Sequence, residues 1–209
     1  MAGRNNQPHP SLEFEQLLWT DGLMRVAGID EAGRGAWAGP VCAAAVILPP
    51  DPTLLDALDG VRDSKLMTAR ARQAWAPVIQ TRAACWGIGF AAALEIDQLG
   101  ILPATRLAAL RALEACSPVF LLTDLLVFRE LELPQAALVK GDQRSLSVAA
   151  ASVLAKTARD RQMLELDAIH PGYGFARHKG YGTPQHQAAI ARLGLCRIHR
   201  RSFRILPVV

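Results

Sequence analysis

The sequence predicts an α/β protein in which a mixed β-sheet is flanked by helices, with a small helical appendage at the C-terminal end. Two observations carry this prediction. Two apolar segments joined by a short glycine-rich loop form a hairpin-like start of the sheet. Strand-like segments alternate with helix-like segments after them. With 209 residues, of which 51% are hydrophobic and 20% charged, the chain can fill one sizeable core, so one main domain is expected.

The first part of the chain provides the start of the sheet. Residues 1–10 are polar and predict a loose tail, and residues 11–19 follow as a short helix that Ser11 is placed to cap. Residues 26–29 and 40–48 are apolar runs that predict two strands, and a cluster of prolines ends the second one. The glycine-rich loop between these strands connects them.

Helical and extended patterns alternate in the rest of the chain. Apolar residues at helical spacing predict helices over residues 68–81, 102–116 and 145–169. Short apolar runs predict strands over residues 85–92, 119–123 and 136–139. From residue 171 the composition changes to Gly, His, Lys, Arg and Tyr, which predicts a functional loop before the helical appendage.

Composition limits the classes of protein to which the chain can belong. Its net charge of +4 and pI near 9.1 favour an anionic partner, and arginine carries most of the positive charge. The scattered cysteines form no Cys-x-x-Cys pair, so reduced thiols of a cytoplasmic protein are expected rather than zinc ligands or disulfides. The N-terminus lacks a signal-peptide pattern and the longest apolar run, residues 41–48, is too short to span a bilayer, so neither export nor membrane insertion is expected.

Acidic residues stand at the ends of the predicted strands or just beyond them: Asp30, Glu31, Asp124 and Asp142. The carboxyl ends of strands in a helix-covered sheet converge on a crevice, where such acids can meet. Either each acid caps a helix or lies in a turn, or the set holds a divalent cation that offsets its mutual repulsion. The set has no Cys or His neighbours, so an all-oxygen site would suit Mg²⁺ or Mn²⁺ better than zinc.

Two other kinds of site fit this region less well. A glycosidase needs two carboxyl groups that face each other across one bond, whereas the adjacent Asp30 and Glu31 point to opposite sides of an extended chain. A dinucleotide-binding loop needs G-x-G-x-x-G directly before a helix, and the glycines of residues 28–35 have another order. Weak phosphate contact by the backbone of this loop stays open.

Six segments of the sequence occur in an order that is typical of one family: GIDEAGRG (28–35), DSKLM (63–67), KGD (140–142), SVAAASVLAKTARD (147–160), HPGYGFARHKGYGT (170–183) and HRRSF (199–203). On these segments, the chain resembles ribonuclease HII, the type 2 ribonuclease H family, over roughly residues 25–205. The resemblance implies an RNase H-like fold. It also implies an endonuclease that hydrolyses the RNA strand of RNA–DNA hybrids and nicks DNA duplexes at embedded ribonucleotides, leaving 3′-hydroxyl and 5′-phosphate ends.

The resemblance further implies that the four acids are catalytic metal ligands, with Mn²⁺ or Mg²⁺ as the cofactor. The expected partners are an RNA–DNA hybrid and a ribonucleotide-containing DNA duplex, and nothing in the sequence demands more than a monomer. Residues 1–20 would then be a tail and short helix, and residues 21–170 the RNase H-like catalytic domain. Residues 171–209 would be a basic loop and helical extension of the same domain.

The resemblance also implies which residues contact the substrate. Gly33, Arg34 and Gly35, together with Tyr181, match the part that reads the ribose 2′-hydroxyl, the one group that distinguishes RNA from DNA at a sugar. Glycine lets the backbone approach the sugar closely because it has no Cβ. Without the motif, Tyr181 would be interpreted as an aromatic residue that packs against its own loop.

Two further points concern the same match. Asp63, Ser64 and Lys65 either form an ordinary turn with a solvated lysine, or Ser64 and Lys65 contact a phosphate. In one departure from the pattern, the family usually has Gly directly after the third acid, whereas here Leu125 follows Asp124. The spacing from Asp124 to Asp142 nevertheless agrees with the family.

Other charged residues have two interpretations each. Lys156, Arg159 and Asp160 either orient the acids from behind or form a salt bridge on the helix face, and for Arg159 and Asp160 we favour the salt bridge. His178 and Lys179 either contact the nucleic acid strand or lie in a free surface loop. The basic C-terminal residues either bind duplex or anchor the tail, and we favour anchoring: Arg197, His199, Arg200, Arg201 and Arg204.

Two rival functions use the same fold: a hybrid-binding module that has lost its metals, and a DNA-cutting transposase or resolvase. The presence of all four acids argues against the first. The GRG and HKGYGT segments favour an enzyme that reads ribose over the second.

Overall fold

The computed structural model describes residues 9–129 and 131–205, so most of the tail predicted for residues 1–10 lies outside the described residues. The strands in these ranges are β1 (Val26–Ala32), β2 (Val41–Ile47), β3 (Cys85–Ala91), β4 (Phe120–Asp124) and β5 (Gln135–Leu138). The helices are α1 (Glu13–Thr20), α2 (Leu54–Ala57), α3 (Ala69–Arg82), α4 (Ala93–Leu99), α5 (Ile101–Leu113), α6 (Leu146–Ile169), α7 (Phe175–His178) and α8 (Pro184–Leu193). Single 3₁₀ turns lie at Ser64–Leu66 and Gly141–Gln143.

The strands form one mixed sheet in the order β3-β2-β1-β4-β5. β1, β2 and β3 pair in antiparallel fashion, whereas β4 and β5 run parallel to β1. The carboxyl ends of β1, β4 and β5 therefore lie at one edge of the sheet. This topology confirms the predicted mixed sheet.

Helices cover both faces of the sheet. The apolar residues of α6 pack on one face against Val26 and Leu122, and those of α5 pack on the other face against Ile29. α6 lies very close to β1 because residue 28 is glycine: a Cβ there would lie 2.2 Å from the carbonyl carbon of Ser147. This close approach places the polar side chains of α6 beside the end of β1.

The first strand is longer than the sequence pattern predicts. β1 continues to Ala32, whereas the loss of apolar residues predicts an end before Asp30. Opposite Asp30 and Glu31, β2 carries the small residues Ala44 and Ala43, which leave room for acidic side chains within a paired strand. The two acids are thus held in place by pairing with β2, while the pairing of β1 with β4 ends at Ile29.

Two short helices are absent from the sequence-based prediction, and the appendage is present. The Glu95 carboxylate accepts a hydrogen bond from the Ala92 N–H at 2.7 Å and so caps α4, which Gly100, at φ +84°, separates from α5. α2 is a single helical turn. α7 and α8 confirm the predicted helical appendage, and no helix in the described part of the chain is long and apolar enough to cross a membrane.

Candidate active site

Three parallel strands bring the predicted carboxylates to one edge of the sheet. Asp30 and Glu31 lie near the end of β1, Asp124 is the last residue of β4, and Asp142 lies in the turn after β5. β1 and β4 pair up to the residues just before Asp30 and Asp124, so these two acids follow at the same level. We call this set the acidic edge: Asp30, Glu31, Asp124 and Asp142.

Asp30 is the buried member of the pair on β1, with 3% of its surface exposed. Burial, followed by the charge of Glu31, raises the pKa of Asp30 well above its usual value. Ser152 on α6 forms a hydrogen bond with the Asp30 carboxylate, and its hydroxyl oxygen lies 2.9 Å from Ser64 Oγ, which can donate to it. Oδ2 of Asp30 is buried and has no hydrogen-bond partner among the described residues. A buried acceptor without a donor is costly, and a cation would satisfy it.

A second pair of acids shares one lysine. The ammonium of Lys65 lies 3.4 Å from Asp142 Oδ2 and 3.9 Å from Asp63 Oδ1. Burial, and then the charge of Asp63, raise the pKa of Asp142 to about 6. Asp63 is a buried acid beside the acidic edge that our sequence analysis treats only as part of a turn. Its place directly before Ser64 and Lys65 in the DSKLM segment is the signal that points to it.

The other two acids are turned toward partners of their own. Glu31 Oε1 accepts a hydrogen bond from Arg34 at 3.0 Å, and Asp124 Oδ1 accepts one from the Gly141 N–H at 2.9 Å. Across residues 9–129 and 131–205, no three carboxylate, imidazole or thiol side chains stand close enough together to hold one metal ion. The acidic edge still fits a hard divalent cation, because its donors are all oxygen and Asp30 Oδ2 is buried without a hydrogen-bond partner in the described part of the chain.

The two glycines of the loop after β1 have different surroundings. Gly33 has a φ of +92°, and a Cβ there would lie 1.8 Å from Nε of Arg159. The fold itself therefore requires glycine at position 33. Gly35 is exposed, and apart from its chain neighbours no heavy atom of the described residues would lie within 4 Å of a Cβ there. The space beside Gly35 is open to a ligand.

Two buried arginines hold this loop by its carbonyl groups. Arg200 donates to the carbonyls of Gly33 and Arg34, both at 2.7 Å, and to that of Gly39 at 3.0 Å. Burial, and then the charge of Arg159, lower the pKa of Arg200 to about 9, so it remains charged at neutral pH. The favoured anchoring interpretation fits Arg200 and His199, which are buried, while Arg197, Arg201 and Arg204 are exposed.

The expected salt bridge on the face of α6 is confirmed for Asp160 and wrong for Arg159. Arg159 is fully buried and donates to the carbonyls of Pro40 at 2.9 Å and Lys179 at 3.0 Å. Asp160 pairs instead with Lys156 at 2.6 Å and with Arg72 at 3.1 Å. A buried arginine that binds only carbonyl groups looks the same in sequence as a surface arginine, so the pattern could not distinguish them.

Tyr181 lies beside the same loop. The Gly180 carbonyl accepts hydrogen bonds from the N–H groups of Trp37 at 2.8 Å and Ala38 at 3.2 Å, which joins the segment around Tyr181 to the glycine-rich loop. The Tyr181 ring is 37% exposed, with the Arg159 guanidinium 5.4 Å from its centre. The neighbouring His178 is buried, so neither strand contact nor a free surface loop describes it.

Comparison with known proteins agrees with the resemblance found in the sequence. The family described as Ribonuclease HII matches residues 27–206. A ribonuclease HII from Syntrophotalea carbinolica is 54% identical over 92% of this chain and 91% of its own. The ribonuclease H2 structure from Pyrococcus horikoshii has a TM-score of 0.70 at 25% identity, over 87% of this chain and 95% of that one. The structure of an Archaeoglobus fulgidus RNase HII, solved as a complex with PCNA, has a TM-score of 0.71 at 27% identity, over 84% and 92%. These likenesses confirm the predicted fold.

Proposed function

This chain belongs to the ribonuclease HII family, and we propose that the acidic edge is its catalytic centre. The protein is a metal-dependent endonuclease that cleaves RNA in RNA–DNA hybrids and at ribonucleotides embedded in DNA duplexes. What the proposal adds is the assignment of this chemistry to individual side chains. It is carried by one observation: Oδ2 of Asp30 is buried and has no hydrogen-bond partner among the residues that the structure describes, within a set of acids whose mutual repulsion bound cations would relieve.

The four carboxylates would hold Mg²⁺ or Mn²⁺, both of which accept all-oxygen ligands. When bound, such ions supply a nucleophilic water and relieve charge on the attacking and leaving oxygens of the phosphodiester. We assign Asp30 as the shared ligand because its carboxylate is buried, its Oδ2 has no hydrogen-bond partner within the described ranges, and the charges of Glu31 and Lys65 both act on it. The products would carry 3′-hydroxyl and 5′-phosphate ends.

Two basic side chains offset the negative charge of these acids, and both are placed to contact a substrate phosphate. Lys65 contacts Asp142, and Arg34 contacts Glu31. The side chains of Lys65 and Arg34 are 67% and 44% exposed, so both can reach a phosphate in front of the acidic edge. Ser64 is buried and bonded to Ser152, so its contribution is to hold the Lys65 segment beside Asp30.

Recognition of ribose is assigned to the loop of Gly33 to Gly35 and to Tyr181. The Arg200 guanidinium binds the carbonyls of Gly33 and Arg34 from the protein interior, and the open space beside Gly35 admits a sugar. The exposed ring of Tyr181 offers a flat surface to the same sugar. All of these groups come from a single chain, so we propose that a monomer suffices.

The decisive experiment uses a DNA duplex with one ribonucleotide, incubated with and without Mn²⁺. We expect a nick only with metal and only at the ribonucleotide. Asp30→Asn should lose nearly all cleavage, because it removes charge without changing shape, and should still bind the duplex. Glu165→Gln, which removes an exposed ion pair with Arg161 on α6, is the control and should keep wild-type activity. Full activity of Asp30→Asn would refute the proposed centre.

A further inference from the structure

Three buried histidines lie behind Tyr181, and the cleavage chemistry does not use them. His178, His186 and His199 have 8%, 0% and 1% of their surfaces exposed, so none of them can reach a substrate. The rings of His178 and His186 stack with centroids 4.4 Å apart, and those of His186 and His199 lie 5.2 Å apart. We call these residues the histidine chain.

The position of each proton in the histidine chain follows from its partners. Nδ1 of His186 lies 3.0 Å from the Tyr181 carbonyl oxygen, which can only accept, so Nδ1 carries the proton. Nε2 of the neutral His186 ring is then an acceptor, and it lies 3.1 Å from Nε2 of His199, which must donate. Nδ1 of His199 in turn accepts from the Cys196 N–H at 2.9 Å. Each assignment agrees with the next.

His178 completes the arrangement on the other side of Tyr181. Its Nε2 lies 2.9 Å from the Tyr173 carbonyl oxygen and must donate, which leaves Nδ1 to accept from the Gly180 N–H at 3.2 Å. Tyr181 also donates its own N–H to the His178 carbonyl at 3.0 Å. Two imidazoles thus hold the backbone on either side of the Tyr181 ring, His178 at Gly180 and His186 at the Tyr181 carbonyl.

We propose that the histidine chain positions Tyr181 for contact with the substrate. This inference rests on the proposed contact between Tyr181 and the ribose. The Tyr181 ring is partly exposed and has the cationic groups of Arg159 and Lys156 on its protein side, at 5.4 and 5.8 Å from the ring centre. The backbone that carries this ring is held by hydrogen bonds with His178 and His186, and the histidine chain fixes those bonds in one arrangement of donors and acceptors. His178 and His186 are positioning residues, and His199 fixes the tautomer of His186.

Two substitutions of His186 separate positioning from general packing. The amide nitrogen of Asn reaches the place of Nδ1, so His186→Asn keeps the donor to Tyr181, whereas the amide of Gln reaches the place of Nε2, so His186→Gln loses it. We expect KM for the single-ribonucleotide duplex to stay near wild type in His186→Asn and to rise about five-fold in His186→Gln, the effect of losing one hydrogen bond. We expect kcat to change less than KM. Equal KM values for two folded variants would overturn the proposal.

A second pair of variants, at His178, and an NMR measurement test the same inference if one of the His186 variants does not fold. His178→Asn keeps the acceptor for the Gly180 N–H and His178→Gln loses it, so the same difference in KM is expected. Long-range ¹H–¹⁵N correlation spectra of the wild-type imidazoles should show neutral rings protonated on Nδ1 in His186 and on Nε2 in the other two. A proton on Nε2 of His186, or a charged ring at neutral pH, would overturn the arrangement.

Tyr181→Ala distinguishes failure of this inference from failure of the proposed function. If Tyr181→Ala leaves KM unchanged, Tyr181 does not contact the substrate, and positioning by the histidine chain is overturned with it. If Tyr181→Ala raises KM but the Asn and Gln variants do not differ, Tyr181 keeps its proposed contact and only the histidine chain loses its assignment. The acidic edge is tested separately by Asp30→Asn.

Discussion

The ammonium nitrogen of Lys65 lies 3.4 Å from Oδ2 of Asp142. Burial alone would lower the pKa of Lys65, but the charges of Asp30, Asp63 and Asp142 outweigh burial and raise it. One lysine does not compensate all of these acids, since the pKa of Asp142 is still raised to about 6. The arrangement of charges that we propose for catalysis is therefore expected to lower the stability of the fold, and this effect can be measured.

Asp142→Asn should stabilise the chelator-treated protein at neutral pH while removing cleavage. The pKa of Asp142 is raised from 3.8 to about 6 by burial and by Asp63, so the folded protein holds this proton more tightly than the unfolded chain does. Stabilisation by the proton is complete below pH 3.8 and is lost as the pH rises through about 6. Asparagine stays neutral throughout, so its Tm should exceed that of wild type by a few degrees above this range, and the difference should vanish below it.

Asp51→Asn provides a control of opposite sign. The pKa of Asp51 is lowered, chiefly by the hydrogen bond from the Thr53 side chain, so stabilisation by its charge is present above pH 3.8 and is lost as the pH falls. Asp51→Asn should lower Tm at neutral pH and leave cleavage intact. Calorimetry in chelator across this pH range measures both variants. A Tm for Asp142→Asn below that of wild type at neutral pH would favour the interpretation of Asp142 as a helix cap.

Substitutions of the two loop glycines should have different effects. Gly33→Ala should destabilise the fold by about 2 kcal/mol, because its Cβ meets Arg159 and its φ is positive. Gly35→Val should leave Tm unchanged, since its side chain enters open space, yet it should lose rate and preference for the ribonucleotide. Thermal melts and cleavage of matched ribo and deoxyribo duplexes check both. An unchanged preference in folded Gly35→Val would mean that ribose is recognised elsewhere.

Leu125→Gly should stabilise the protein by about 1 kcal/mol without loss of activity. Leu125 directly follows Asp124 at a φ of +60°, a conformation that costs a side-chain-bearing residue about 1–2 kcal/mol and that glycine adopts freely. Its side chain is 63% exposed, so little packing is lost.

Ser117→Gly is the matched comparison for Leu125→Gly, because Ser117 has a φ of +42° away from the acidic edge. Both variants should raise the urea midpoint. A loss of cleavage in Leu125→Gly alone would show instead that the leucine holds Asp124 in place.

A fall in pH should destabilise the folded protein because it protonates His186. Burial lowers the pKa of His186 from 6.5 to about 4, and charge on His178 or His199 would lower it further. The unfolded chain therefore binds this proton more tightly, so stability is full above pH 6.5 and is lost as the pH falls toward 4. We expect a loss of about 3 kcal/mol over this range in urea unfolding. The loss should be smaller in His186→Asn and unchanged in His9→Asn, which alters an exposed histidine; equal slopes in all three would contradict this origin.

The sheet and its acidic edge could be predicted because both leave local signals. Apolar runs broken by glycine or proline mark the strands, and parallel strands place Asp124 and Asp142 beside β1. The end of β1 could not be predicted, since the small residues Ala43 and Ala44 that accommodate Asp30 and Glu31 lie on another strand. Sequence shows which residues are acidic, but not which strand leaves them room.

The supports of the site were beyond sequence reasoning for a related reason. Arg159, Arg200 and His186 bind backbone carbonyl groups, and every residue carries a carbonyl, so no pairing pattern marks them. Asp63 was within reach, because it adjoins Ser64 and Lys65, and Ser152 was not, because a serine inside a helix has many surface equivalents.

The hydrogen bonds from Arg200 to Gly33 and Arg34 also fix the order in which parts of the site can form during translation. A ribosome adds Arg200 167 residues after Gly33. The proposed metal ligands of β1 are therefore made early, whereas the carbonyls of the glycine-rich loop gain their donor only after Arg200 has been added. A nascent chain would therefore carry the proposed catalytic acids of β1 before the glycine-rich loop, proposed to recognise ribose, is supported by Arg200. The loop gains this support only when residue 200 has left the exit tunnel.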